Sequence, residues 1–287
     1  MPELPEVEVV KKSLDIKLKN LTIRKVSISN NKLRYKIDNK RFNKIKGKKI
    51  ISVQRRSKYL LINLNNNSTI LTHLGMTGKF FIVDNDKKHK TSFYYILKKN
   101  DTKHDHISFI FNKNIKLIYN DVRKFGFIKI FLTNSIHDSV HLKFLGPEPL
   151  SKDFNVRYFN KYILNKKLKI KNLLMDQKFV AGLGNIYCNE IIHLCRINPN
   201  RSVKNISQKE IKIIIKFTKK ILKQSILLGG SSIKDFSSTE GQDGNFQQKF
   251  NVYGREKASC SRPKCLGIIK KVYTSNRSSF YCPICQK

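Results

Sequence analysis

Acidic residues are scarce in this chain of 287 residues. Only 20 Asp and Glu oppose 58 Lys and Arg, so the formal net charge at pH 7 is +38. Abundant Lys, Asn and Ile are typical of an AT-rich genome, and we assign part of the excess to that bias. The remainder predicts a polyanionic partner, either nucleic acid or an anionic membrane surface. No apolar run approaches the ~18 residues of a spanning helix, which excludes a membrane-spanning protein and favours nucleic acid.

A secretory signal is also absent from the start of the chain. The first residues, MPELPEV, lack a basic region followed by an apolar one, so we expect a cytoplasmic, reducing location. Disulfides are not expected there, although the chain has six cysteines. Four of them form a C-x4-C pair and a C-x2-C pair: Cys260, Cys265, Cys282 and Cys285. Two thiolate pairs at this spacing predict one structural, tetrahedral Zn²⁺ that stabilises a small C-terminal hairpin.

The apolar pattern divides the chain into three regions. The first residues predict a helix, because Pro5 suits its first turn and a stripe of apolar residues from Val7 to Leu18 follows at helical spacing. From Leu21 to Leu132, short β-branched and aromatic runs predict eight strands of a β-sandwich or barrel. After residues 146–149, Gly-Pro-Glu-Pro, the period is helical. We therefore expect an α+β fold: an N-terminal helix and antiparallel β-sandwich in residues 1–146, a helical domain in 147–250 and a zinc hairpin in 251–287.

The second residue has the chemistry of a nucleophile. Removal of Met1 would leave Pro2 with a free secondary amine, whose pKa of ~8 should fall near a helix N-terminus and other positive charges. A neutral amine can attack the anomeric carbon of a sugar and form a cationic iminium, and Glu3 can carry protons beside it. The alternative is structural, since Pro and Glu residues also start helices well.

Several motifs occur together in one order along the chain. They are MPELPEV (1–7), QRRSKYLL (54–61), HLGMTG (73–78), KHDH (103–106), RKFG (123–126), LGPEPL (145–150), VAGLGNIY (180–187), NVYGR (251–255) and the four cysteines. With these motifs the chain resembles the bacterial formamidopyrimidine-DNA glycosylase family along nearly its whole length. One departure is the first cysteine pair, which encloses four residues where the family pattern has two.

The resemblance implies catalytic roles at the start of the chain. Pro2 is expected to be the Schiff-base nucleophile, and Glu3 the acid that protonates the deoxyribose ring oxygen. Lys58 is expected to contact a phosphate and assist catalysis, and Glu6 to lie near the damaged base. Residues 229–246 match the loop that closes over the flipped purine.

The resemblance also implies DNA-binding residues. Met76, Arg123 and Phe125 match the residues that fill the gap left by a flipped base, which lowers the cost of extruding it. Residues 147–250 match a helix-two-turn-helix DNA-binding domain, in which Asn185 matches a residue that holds the phosphates beside the lesion. Arg277, on the zinc hairpin, matches another. On spacing alone, Met76 and Phe125 would be core residues, and Asn185 could cap a helix.

The resemblance implies a bifunctional DNA glycosylase and AP lyase of base excision repair. Its expected substrate is an oxidised purine, such as 8-oxoguanine, in double-stranded damaged DNA, and its expected cofactor is one structural Zn²⁺. We expect a monomer without membrane association. Two alternatives stay open: an endonuclease VIII-like glycosylase for oxidised pyrimidines, and a non-catalytic zinc-ribbon protein that binds nucleic acid.

Overall fold

A computed structural model describes residues 1–84, 87–91, 102–231 and 246–287. The chain forms two compact units. The first consists of Met1–Lys143 and Leu228–Asn245, and the second of Phe144–Leu227 and Phe246–Lys287. Most of the loop that the resemblance implies in residues 229–246 lies outside the described residues. So does part of residues 84–105, whose polar sequence predicts mainly a surface loop or hairpin.

The first unit contains two antiparallel sheets. A five-stranded sheet has the order β1-β7-β8-β5-β6, and a four-stranded sheet has the order β2-β3-β4-β9. The strands are β1 (Ile23–Ile28), β2 (Ile50–Arg56), β3 (Tyr59–Leu64), β4 (Ser68–His73), β5 (Lys79–Asp84), β6 (Lys87–Lys90), β7 (Asp105–Phe111), β8 (Lys116–Asn120) and β9 (Phe127–Leu132). Buried residues of both sheets, such as Ile62 and Phe109, belong to one hydrophobic core. The predicted antiparallel β-sandwich is confirmed.

Two helices accompany these sheets: α1 (Leu4–Leu18) and α2 (Asn39–Asn43). The predicted apolar stripe of α1 is fully buried in the core. Helix α1 packs on β2, where the Val53 amide donates a hydrogen bond of 2.7 Å to Asp15 Oδ1. Burial of this stripe fixes the helix on the sheet and thereby positions the first residues of the chain.

All eight predicted strands are present, whereas β6 and α2 were not predicted. Strand β6 has the sequence Lys-Lys-His-Lys and lies at the edge of its sheet. It has no apolar alternation because neither face of this short edge strand enters the core. Helix α2 has only five residues, which is too short for a periodic pattern.

The second unit is helical and ends in a hairpin. Its helices are α3 (Val156–Ile163), α4 (Ile170–Met175), α5 (Asn185–Leu194) and α6 (Gln208–Leu227), and its strands are β10 (Lys270–Thr274) and β11 (Arg277–Tyr281). The predicted α+β class, with a helical region followed by a cysteine-bearing hairpin, is confirmed. Within the described residues, no helix is long and apolar enough to span a membrane.

Candidate active site and nucleic-acid interface

The start of α1 brings three of the predicted site residues together. Pro2 is buried, and Glu3 is the N-cap of the helix and almost completely buried. The Glu3 amide donates a hydrogen bond of 2.8 Å to Glu6 Oε2, in the first turn. The Glu3 side chain accepts in return from the Glu6 amide, which completes a capping box, and the helix dipole favours carboxylates at this end of α1.

Glu6 also binds the chain at Ser231. Its Oε1 accepts hydrogen bonds from the Ser231 amide at 2.8 Å and from the Ser231 hydroxyl at 2.9 Å. Gly230 has φ of +83°, and a Cβ there would lie 3.1 Å from Glu6 Oε1. The left-handed backbone and this close approach both favour glycine. Both carboxylate oxygens of Glu6 thus accept hydrogen bonds from the protein. One accepts from Glu3, and the other from Ser231, the last described residue before segment 232–245.

Lys58 lies in the tight turn that joins β2 to β3. Arg56 pairs with Tyr59, so Ser57 and Lys58 form a two-residue hairpin loop, and Ser57 has φ of 56°. Arg55 positions this loop: its guanidinium donates to the Ser57 carbonyl at 2.9 Å and to Glu8 Oε2 of α1 at 2.7 Å. Sequence reasoning missed Arg55 and Glu8, although both lie in or directly beside motifs that carry the resemblance.

A neutral histidine lies near Lys58. His73 ends β4, pairs with Tyr59 in the sheet, and accepts a hydrogen bond from the Gly75 amide at Nδ1, at 3.0 Å. Burial lowers the pKa of His73 to about 4, and the charge of Lys58 contributes to this lowering. The imidazole therefore stays uncharged at neutral pH and holds the Gly75 turn as a hydrogen-bond acceptor.

The three predicted gap-filling residues lie on two neighbouring loops. Met76 is on the β4–β5 loop, and Arg123 and Phe125 are on the β8–β9 loop. The side chains of Met76 and Phe125 remain 39% and 48% exposed, so they are not core residues. The Arg123 guanidinium lies over the Phe125 ring, 4.7 Å from its centroid. The arrangement presents an apolar and cationic tip to solvent.

A buried aspartate joins the two loops. Asp121 accepts hydrogen bonds from the Thr77 hydroxyl at 2.5 Å and from the Gly126 amide at 2.8 Å. A Cβ on Gly75 would collide with the Gly126 nitrogen, so the loop backbones are in direct contact. Sequence reasoning missed Asp121, whose signal is its position two residues before the RKFG motif.

In the second unit, Asn185 is the first residue of α5, and the N-cap is Gly184. Asn185 is therefore not the helix cap that sequence reasoning had allowed. Gln177 fixes the preceding turn: its side chain accepts from the Gly182 amide at 2.8 Å and donates to the Leu183 carbonyl at 2.7 Å. This turn leads directly into α5, and the backbone amides at the N-terminus of a helix bind anions.

Arg277 follows the turn of the hairpin and is exposed. Ser275 and Asn276 both have positive φ, as a type I′ turn requires. Two buried side chains attach β11 to the helices. Asn189 Oδ1 accepts from the Phe280 amide at 2.8 Å, and the Lys171 ammonium donates to the Ser278 carbonyl and the Ser279 hydroxyl, both at 2.7 Å.

Asn189 also donates to the Asn185 carbonyl, at 2.6 Å. It thereby joins the start of α5 to the strand that carries Arg277. The second unit thus brings Asn185 and the Arg277 strand into one hydrogen-bonded network. Sequence reasoning did not find Lys171 or Asn189, whose burial depends on the docking of the hairpin.

The four predicted metal ligands form one cluster. All four Sγ atoms lie within 4.8 Å of one another, with 3.8 Å between Cys260 and Cys285 and 3.6 Å between Cys265 and Cys282. Zn–S bonds of about 2.3 Å in a tetrahedron require S–S distances of about 3.8 Å. A Cβ on Gly267 would collide with Cys282 Sγ, so glycine keeps the cluster closed. The thiol set fits one metal ion.

The longer first cysteine pair contains Arg262. Its guanidinium donates to the His193 carbonyl and, at 3.1 Å, to the Leu194 carbonyl, at the end of α5. The His193 carbonyl also accepts from the Arg196 amide at 3.0 Å, so the guanidinium adds a charged donor to the carbonyls at the helix end and complements the helix dipole. The segment between Cys260 and Cys265, which is two residues longer than in the family pattern, thus contacts the end of α5 directly.

Comparisons with known proteins agree on one family. The sequence profile of the formamidopyrimidine-DNA glycosylase N-terminal domain matches residues 1–128, and that of the family's H2TH domain matches residues 145–237. Formamidopyrimidine-DNA glycosylase of Rickettsia bellii is 42% identical over 287 residues, covering 100% of both chains. That of Rickettsia felis is 39% identical, covering 100% of this chain and 98% of the relative.

Solved structures of a Lactococcus lactis enzyme have the same fold. A point mutant of that enzyme in complex with a Fapy-dG containing DNA superposes with a TM-score of 0.86 at 32% identity, and 100% of each chain is covered. The complex of the Lactococcus lactis enzyme with an abasic site containing DNA gives 0.85 at 31% identity, with 99% of each chain covered.

These matches define the chain as a DNA glycosylase of base excision repair. It belongs to the formamidopyrimidine-DNA glycosylase family, whose members also have AP lyase activity. The predicted family, fold and enzyme class are confirmed, and DNA is the partner. These matches argue against the alternative of a non-catalytic zinc-ribbon protein.

Proposed function

We propose that the protein excises oxidised purines from duplex DNA and then cleaves the strand through a Schiff base on Pro2. The position of Pro2 and Glu3 at the N-terminal end of α1 is the observation that carries this proposal. Both are buried, and the Glu3 backbone is held by Glu6. After removal of Met1, the electropositive helix end lowers the amine pKa and favours the neutral nucleophile.

The excision step follows from this amine. The nitrogen lone pair of Pro2 attacks C1′ of the deoxyribose, and the N-glycosidic electrons leave with the base, which takes up a proton. Glu3 donates a proton to the ring oxygen as the ring opens, and loss of the amine proton gives a cationic iminium. The iminium accepts electrons when a C2′ proton departs, so the 3′ phosphate leaves by β-elimination. Loss of a C4′ proton from the resulting conjugated iminium then expels the 5′ phosphate by δ-elimination.

The remaining predicted residues bind and deform the DNA. We assign Lys58, Asn185 and Arg277 to phosphates, because cations and helix N-terminal amides hold the backbone and stabilise departing phosphates. The exposed side chains of Met76, Arg123 and Phe125 fill the gap left by the flipped nucleotide. Glu6, with Ser231 beside it, lines the space for the damaged base. The Fapy-dG DNA named for one Lactococcus lactis complex supports an oxidised purine as the substrate, and the abasic DNA named for another is the kind of site on which the lyase step acts.

The metal is assigned as Zn²⁺ with a structural role. Four thiolates are typical of structural zinc, and four protein ligands leave no open position for chemistry. The residues that hold it are Cys260, Cys265, Cys282 and Cys285. We further propose a cytoplasmic monomer associated with the nucleoid through its DNA, with domain boundaries near residues 146 and 250.

Borohydride trapping tests the reaction directly. The protein, with Met1 removed and zinc bound, is incubated with a duplex that carries 8-oxoguanine opposite cytosine, and the trapped peptide is identified by mass spectrometry. We expect one adduct, on the Pro2 nitrogen, and far less adduct with Pro2→Gly, which should keep some DNA binding and lose most lyase activity. An adduct at another residue would overturn the nucleophile. Trapping only on an oxidised-pyrimidine duplex would overturn the substrate and favour an endonuclease VIII-like enzyme.

A further inference from the structure

Helix α6 carries a straight row of exposed lysines. Lys209, Lys212, Lys216, Lys220 and Lys223 are spaced at intervals of three or four residues, and all five are exposed. At about 100° per residue they occupy an arc of about 80° around the helix. We call this row the lysine ridge. Lys219 is not part of it, because its ammonium donates to the Ser151 carbonyl at 2.9 Å.

The lysine ridge faces away from the interior of its unit. The buried residues of α6, among them Ile211, Ile214 and Leu222, lie on the opposite side of the helix, which packs against α3 and α5. The Tyr187 hydroxyl of α5 also contacts the Ser225 hydroxyl of α6. The ridge is therefore turned away from α5, the helix that begins with the proposed phosphate contact Asn185.

The charges of the ridge are not compensated by neighbouring acids. Glu210 is the single acidic residue of α6, and it is engaged by the Arg201 guanidinium and by Ser207. In the described part of the chain, no ion pair involves any of the five lysines. Like charges three or four residues apart destabilise a helix, and here they follow one another along its whole length. An external polyanion would relieve this repulsion.

We propose that the lysine ridge binds a second segment of duplex DNA while the first occupies the active site. The ridge spans about 21 Å, which corresponds to the rise of about six base pairs. A membrane surface fits less well, because an interfacial helix inserts its apolar face, and that face of α6 is buried within the unit. With two duplexes bound, the enzyme passes directly from one DNA segment to another during its search.

The test measures binding of a second duplex to an occupied enzyme. A one-to-one complex with a short tetrahydrofuran-containing duplex is titrated with a labelled, undamaged duplex of about 12 base pairs, twice the length the ridge spans, and anisotropy and native mass spectrometry are recorded. We expect a complex of one protein and two duplexes. Changing all five ridge lysines to Gln preserves helix propensity. It should weaken binding of the second duplex at least tenfold and binding of the first duplex less than twofold. The log–log salt slope for the second duplex should fall by about 0.9 per lost phosphate contact.

A control variant removes the same charge elsewhere. Lys17, Lys19, Lys25, Lys40 and Lys46 are exposed in the first unit, and changing them to Gln should leave the second duplex bound. If both variants lose the second duplex equally, general charge is responsible and the ridge proposal is overturned. Ridge-dependent binding of phosphatidylglycerol vesicles without a second duplex would overturn it in favour of a membrane partner. Either result leaves binding of the lesion duplex, and hence the proposed function, intact.

Discussion

The carboxylate of Glu6 binds Ser231, 225 residues further along the chain, through the Ser231 amide and hydroxyl. Its other oxygen accepts the hydrogen bond of the Glu3 amide. One buried carboxylate therefore connects the backbone beside Pro2 with the residue that precedes segment 232–245. We therefore propose that Glu6 couples recognition of the base to placement of the nucleophile.

Glu6→Gln should separate these two functions. The NH₂ group of the glutamine must face the backbone amide of either Glu3 or Ser231, each of which donates to Glu6 in the wild type. One buried hydrogen bond is therefore lost, at a cost of about 1–3 kcal/mol. We expect single-turnover excision of 8-oxoguanine to slow at least tenfold, and cleavage at a preformed abasic site to slow less. Ser231→Ala, which removes only the hydroxyl contact, should be intermediate. An equal loss on both substrates would contradict the coupling.

Asp121→Asn should disturb the exposed tip formed by Met76, Arg123 and Phe125. Asp121 accepts from Thr77 and Gly126 at once, and an amide cannot accept at both of its terminal atoms. We expect the affinity for a tetrahydrofuran duplex, relative to an undamaged duplex, to fall at least fivefold, together with a stability loss of about 1–3 kcal/mol in urea unfolding. Thr77→Val removes one of these bonds and should have a smaller effect. An unchanged affinity ratio would show that the loops do not depend on Asp121.

The fold was largely predictable because its elements carry local periodic signals. The stripe of α1, the eight apolar strands and the capped α6 each show their period in a short window. The polar strand β6 has no such signal and is formed by pairing with β5. Its existence depends on a neighbour that no local pattern identifies.

The candidate site was predictable where motifs carried it and not where packing did. Motif positions such as Lys58 and Arg123 were predicted, and the structure places both at turns. Their supports, Arg55 and Asp121, were not found, because charged residues are usually exposed and their burial follows from tertiary contacts. Arg262 was not predicted for the same reason, because its contact with the end of α5 depends on tertiary packing and has no local sequence signal.

Arg262→Gln should loosen the cysteine cluster from α5. The substitution removes a cation from the helix C-terminus and leaves the His193 and Leu194 carbonyls without this donor, so we expect a loss of about 1–2 kcal/mol. Limited proteolysis of the zinc-loaded protein should cleave residues 251–287 faster. Lys264→Gln, an exposed change in the same cysteine pair, is the control. Equal proteolysis of the two variants would indicate that the contact does not stabilise the docking.

Stability should fall with acid through His73. Its pKa is about 4 in the folded protein and 6.5 when unfolded, so the unfolded state binds the proton first as pH decreases. The contribution is fully present above pH 6.5 and is lost between pH 6.5 and 4, by about 3 kcal/mol. His73→Asn keeps an acceptor for the Gly75 amide and does not titrate. Its free energy of unfolding in urea should therefore fall less than that of the wild type on acidification through this range. The exposed His137→Asn should retain the wild-type slope, and an unchanged slope in His73→Asn would contradict this origin.

Removal of the metal should abolish tight DNA binding while the first unit stays folded. The hairpin β10–β11 has a small core of its own, so the thiolate–metal bonds supply most of its folding energy. If the hairpin unfolds without metal, Lys171 and Asn189 lose their hydrogen-bond partners on β11, and Arg277 is no longer held near α5. We expect chelation to release one Zn²⁺ per chain and to weaken binding of a tetrahydrofuran duplex at least tenfold, with the β-sheet circular dichroism retained. Cys282→Ala should reproduce the loss, whereas Cys188→Ala, a buried thiol outside the cluster, should keep the metal and the affinity. Unchanged affinity after verified metal loss would show that the hairpin binds DNA without it.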